Sequence, residues 1–77
     1  MIEIAIDEDE YDLLNIMNCI TYDDTLYNKL HDNHIKAEDK LHLIVEDGGL
    51  WCDVLVEEIE YGDGTIWFKY LDAGGTK

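Results

Sequence analysis

Lys40 to Leu71 reads KLHLIVEDGGLWCDVLVEEIEYGDGTIWFKYL, and this stretch decides the fold. Leu41, Leu43 and Val45 alternate with His42, Ile44 and Glu46, the two-residue period of a strand that buries one face. Asp47-Gly48-Gly49 then supplies glycines, which reach positive φ without a Cβ penalty, so residues 40–46 and 50–56 are expected to form a hairpin. Gly62-Asp63-Gly64 gives a second turn between Val54–Tyr61 and Thr65–Leu71, where Ile66, Phe68 and Tyr70 alternate with Trp67, Lys69 and Leu71. The expectation is a three-stranded meander. Its middle strand changes phase: Leu50, Cys52, Val54 and Val56 share one parity, Ile59 and Tyr61 the other. A bulge, one extra residue at Glu57-Glu58, restores the inward phase and turns several carboxylates outward. The alternative is a regular strand with one partly exposed face.

Ahead of this meander, Ile2, Ile4 and Ile6 alternate with Glu3 and Ala5, a strand with its isoleucines toward a core. Asp7 followed three residues later by Glu10 resembles a capping box, and acidic side chains are favoured beside a helix N-terminus. Leu13, Ile16, Met17 and Ile20 recur at i, i+3, i+4 and i+7, which predicts a helix over 8–20 whose apolar face covers the sheet. Over 21–33, Thr25 is a candidate cap, and Tyr22, Leu26 and Leu30 share a face of a second helix. The order β-α-(α)-β-β-β predicts an α+β fold, a largely antiparallel sheet with one or two helices on one face. Seventy-seven residues make a single domain, 1–77, and the Gly-rich tail 73–77 is expected to fray. A sheet ending in Thr65–Leu71 is expected to leave an edge for a second copy, giving a homodimer.

Charge is the dominant compositional feature. Nineteen Asp and Glu stand against five Lys and no Arg, a formal net charge of −14. Solubility of a small domain needs only a magnitude of about 2–8, and self-repulsion weakens a compact state, so the excess calls for another reason. The acids fall in two Lys-free runs. Met1–Asn28 contains Glu3, Asp7, Glu8, Asp9, Glu10, Asp12, Asp23 and Asp24; Leu41–Phe68 contains Glu46, Asp47, Asp53, Glu57, Glu58, Glu60 and Asp63. Lys29, Lys36 and Lys40 lie between them. Of these acids all but Glu3 form the candidate partner-binding set. Strand neighbours at i, i+2 and helix neighbours at i, i+4 lie about 6–7 Å apart, so Glu58 with Glu60, or Glu8 with Asp12, can form rows of anions.

Other chemistries find no pattern here. The run Asp7–Asp12 places Asp12 where a calcium loop needs Gly, and His31, His34, His42, Cys19 and Cys52 have no zinc-site spacing, so no metal or cofactor is expected. No nucleophile elbow, phosphate loop or Cys–His pair marks a catalytic centre, and the chain is not expected to be an enzyme. Cys19 and Cys52 sit in apolar stretches with no signal-like leader or membrane span before them, so reducing cytoplasm is the expected setting. Trp51 and Trp67 are alternatives to charge as an aromatic hot spot, as in an immunity or antitoxin-like interaction module.

In size, net charge, lack of Arg, the run Asp7–Asp12 and the acidic hairpins around Glu46-Asp47 and Glu57–Glu60, the chain resembles small acidic DNA-mimic proteins of phages and mobile elements. Their targets are restriction enzymes, CRISPR nucleases, repair glycosylases and nucleoid proteins. It looks most like phage host-takeover proteins that bind the nucleoid-associated protein HU. The resemblance implies competitive occlusion in a bacterial host: carboxylates replace phosphates against Lys and Arg of a basic DNA-binding partner.

Overall fold

A computed structural model describes residues 1–46, 49–62 and 64–75. The elements are β1 (Ile2–Ile6), α1 (Glu8–Ile16), β2 (Cys19–Thr21), α2 (Thr25–Asp32), β3 (Lys40–Val45), β4 (Leu50–Ile59) and β5 (Thr65–Gly75). They build an α+β fold on one curled, mostly antiparallel sheet in the order β1-β3-β4-β5-β2. β1 lies parallel to β3, which the intervening helices make possible, because parallel neighbours need a long crossover.

The core is one face of this sheet. Ile4, Ile6, Leu41, Leu43, Val45, Cys52, Val54, Val56, Ile66 and Phe68 are buried against Leu14 of α1 and Leu26, Tyr27 and Leu30 of α2. Each fully buried Leu or Ile adds about 1.5–3 kcal/mol over an exposed one, which offsets the self-repulsion of the charged surface. The other face carries Lys40, His42, Ile44, Trp51, Asp53, Leu55 and Lys69, none of them fully buried. Tyr61 closes α2, its hydroxyl donating to the carbonyls of Leu30 (3.1 Å) and Ile35 (2.6 Å).

The hairpins form as the alternation predicts, and the bulge is present: Val56 pairs with Phe68 and Glu58 with Trp67, leaving Glu57 as the extra residue. Gly49 and Gly62 take positive φ, 66° and 104°, at the two turns. Asp47, Gly48 and Asp63 lie outside the described residues.

Several expectations change. The first helix stops at Ile16 rather than residue 20: Met17 turns extended, and Cys19–Thr21 becomes β2, hydrogen-bonded to β5. Its buried residues are Glu10 and Leu14; of the expected stripe Leu13 packs partly against the core and Ile20 is buried in β2, but Ile16 is 82% exposed and Met17 is exposed. Ile2 is exposed at the start of β1, and Tyr22, ahead of α2, is exposed as well. Residue 24, not 25, is the N-cap of α2. Ala73–Gly75 do not fray. They pair with Cys52, Trp51 and Leu50, and a second register shift leaves Leu71 unpaired and exposed. The expected free edge at Thr65–Leu71 is partly taken, because β2 covers Thr65–Trp67 and Asn18 accepts the Phe68 amide at 2.8 Å.

Candidate functional site

The first acidic group is built on helix starts. Asp7 caps α1: its Oδ1 accepts the Glu10 amide at 2.8 Å, and Glu10 Oε1 accepts the Asp7 amide at 3.0 Å. The capping box read from the sequence is therefore present, but it removes Glu10 from the outward set. Glu10 is 4% exposed, with Lys29 Nζ 2.6 Å from Oε1 and the Thr25 hydroxyl 3.0 Å from Oε2. Lys29 also donates to the Ala5 carbonyl, at 3.3 Å, so one ion pair fastens α1, α2 and β1 together. Asp24, at the head of α2, accepts the Thr21 amide at 2.9 Å through Oδ2. Asp7, Asp9, Glu10, Asp23 and Asp24 line the cleft between the two helix starts, and Glu8 and Glu46 flank Asp7 on the β1–β3 side. Both helices direct the positive ends of their dipoles here, which offsets part of the repulsion among so many carboxylates.

The second group lies at the end of β4. The bulge at Glu57 breaks the strand's alternation, so Glu57 and Glu58 are consecutive and both exposed. Together with Ile59, Glu60, Thr65, Ala37 and Trp67 they line a shallow notch. Trp67 sits across from Glu58 and is 41% exposed. Glu38 joins this group, because its amide donates to the Val56 carbonyl at 2.7 Å and its φ of 75° makes the turn that brings the 36–39 loop alongside. The sequence reading assigned this loop to the Lys-bearing segment and missed Glu38; only the pairing of the loop with β4 reveals it.

The two groups are neighbours through backbone. Asp24 holds Thr21; Thr21 pairs with Thr65; and the Thr65 carbonyl accepts the Glu60 amide at 3.0 Å. The backbones of Thr21 and Glu60 thus lie about two strand spacings apart, ~10 Å. Tyr27, one turn into α2, adds a second link by donating to the Glu60 carbonyl at 2.9 Å.

Asp53 belongs to neither group. It is half-buried on the other sheet face, with Oδ1 2.5 Å from His42 Nδ1, beside the Trp51 ring and across from Asp72. That face also holds Lys40 and Lys69, each across from Leu55. Asp12 is exposed on α1, and Asp47 and Asp63 lie outside the described residues. Trp51 is half-buried, and a Cβ built on Gly74 would come within 2.8 Å of its indole, so this tryptophan packs while Trp67 faces solvent.

Among the described residues no three His, Cys, Asp or Glu side chains converge as metal ligands do, and no helix is long and apolar enough to cross a membrane. No known family model, curated protein or solved structure matches this chain.

Proposed function

We propose that this chain is a DNA mimic that occupies the DNA-binding surface of a basic protein and blocks its access to DNA. The observation that carries the reading is contiguity: the two Lys-free runs are joined through backbone, from Asp23-Asp24 across Thr21 and Thr65 to Glu60, with Asp7 and Asp9 beside Asp23-Asp24 and with Glu57 and Glu58 just before Glu60. Lys29 is engaged by Glu10, while Lys69, two residues along β5 from Trp67, shares the sheet face of Glu58. The molecule is 35 Å long and 22 by 21 Å across. Duplex DNA of that length carries about 20 phosphates at one per 1.7 Å, comparable with the chain's net charge of −14.

The partner is a basic DNA-binding protein of a bacterial host, and the family resemblance makes HU the first to test ahead of restriction, CRISPR or repair enzymes. The test is capture of HU at low salt followed by challenge with duplex. Release by duplex, and affinity that falls steeply with salt, are expected. Retention of the partner under saturating duplex would sink mimicry.

A second reading has its own observation, the exposed Trp67 among Glu57, Glu58 and Glu60. In that reading the chain is a protein-interaction module in which Trp67 is the anchor and charge only steers encounter. It predicts that Trp67→Ala abolishes binding while Glu→Gln changes at 57, 58 and 60 do little.

A further inference from the structure

A group of exposed apolar side chains lies apart from the two acidic groups. From Leu13 to Tyr22 the sequence LLNIMNCITY has no charged residue, and Lys69–Gly75 contains one Lys and one Asp. The fold brings these two segments together: β2 pairs with the start of β5, and the Tyr70 hydroxyl donates to Asn15 Oδ1 at 2.9 Å. Ile16, Met17, Tyr70 and Leu71 are exposed there. Beyond Phe68, β5 has no strand on its outer side among the described residues, although β4 pairs with it as far as Gly75. An open strand edge with apolar side chains beside it is a template for another strand.

We infer that a second copy of this chain docks on this edge, pairing β5 with β5 across a two-fold axis. Charge selects the occupant. Two chains of −14 repel wherever their acidic sides approach, and this uncharged region lets them meet with the least repulsion. A basic partner has no electrostatic attraction to it. The edge is also self-complementary, since antiparallel pairing runs the Lys69 end of each β5 past the Asp72 end of the other. The opposite sheet edge is protected: β1 has only five residues, and Lys29 occupies the Ala5 carbonyl. The pairing is independent of what binds the acidic side, and salt separates the two, because added salt tightens a dimer of like-charged chains and loosens a complex of opposite charges.

Sedimentation across a dilution series, at low and high salt, tests the pairing. The expected result is a dimer that tightens with salt and is weakened at least tenfold by Ile16→Lys or Leu71→Lys. Amide exchange at Lys69–Gly75 should slow as concentration rises. If Leu71→Lys disturbs folding, Ile16→Lys decides the matter, because that side chain is 82% exposed. A monomer at every concentration and salt overturns the inference. So does a dimer indifferent to both substitutions, one broken instead by Ile2→Lys, or loss of the basic partner on Ile16→Lys.

Discussion

The two acidic groups use the same side chains for opposite ends. At the helix starts, carboxylates serve the fold: Asp7 and Glu10 close a capping box, Glu10 holds Lys29 and Thr25, and Asp24 holds the Thr21 amide. At the end of β4, Glu57 and Glu58 make no cap or ion pair among the described residues, and the bulge leaves both exposed. Negative charge therefore has two explanations in this molecule. The carboxylates that the fold does not use carry the most weight for the proposed partner.

The largest effect expected separates the groups by stability. Glu10→Ala breaks the capping box and leaves Lys29 facing a space its partner filled, a loss of about 3 kcal/mol. A domain of this size has about 4–12 kcal/mol in total, so the urea midpoint should fall markedly. Glu10→Gln, which keeps an acceptor for the Asp7 amide, should lose less. A midpoint unchanged in Glu10→Ala would erase the distinction between the two groups.

The converse experiment removes charge where the fold does not need it. The triple change Glu57→Gln, Glu58→Gln and Glu60→Gln is expected to weaken binding to the basic partner about 100-fold at low salt and to flatten the salt dependence. The urea midpoint should hold or rise, because like-charge repulsion falls. If binding survives and Trp67→Ala destroys it, the acids steer and the tryptophan anchors.

Much of this arrangement is legible in the sequence, and the failures share a cause. Alternation along 40–45 and 50–59 gives the strands, and the break at Glu57 gives the bulge, because both signals are local. The end of α1 is not local. Leu13, Ile16, Met17 and Ile20 satisfy a helical spacing with no Gly or Pro to interrupt them, yet pairing of Cys19–Thr21 with β5 competes successfully for the chain. The same distant pairing brings residue 21 beside residue 65 and so joins the two acidic groups, a contiguity that no local signal carries; burial of Glu10, the place of Asp53 on the other face and the addition of Glu38 are equally non-local. Gly74-Gly75 misled in a similar way. Glycines suggest a frayed tail, but Gly75 has φ 123° and a Cβ there would fall 2.2 Å from the Gly49 carbonyl oxygen, so the residue permits close strand pairing. Gly75→Ala should lower stability by about 2 kcal/mol, whereas a frayed tail would tolerate it.

The smallest effect expected lies in the core and distinguishes the dry side of the sheet from the charged surface. Burial pushes the Cys52 thiol up to about 11, against an ordinary 9.0, with the Tyr70 hydroxyl partly opposing and Asp53 adding to the rise. Burial likewise raises Tyr70 and Tyr61. A thiol that stays protonated in the folded state while the unfolded chain releases its proton makes the unfolded state the poorer proton binder. Stability then falls as pH rises through the window from about 9 to 11, by about 1 kcal/mol at pH 10 from Cys52 alone. Urea midpoints of the native chain and of Cys52→Ala, compared at pH 8 and pH 10, isolate this contribution. The variant starts less stable because a buried side chain is gone, but it should lose less on going to pH 10. Equal losses would mean that Cys52 is wet in the folded state, and that the interior beneath β5 is as open to water as the acidic side.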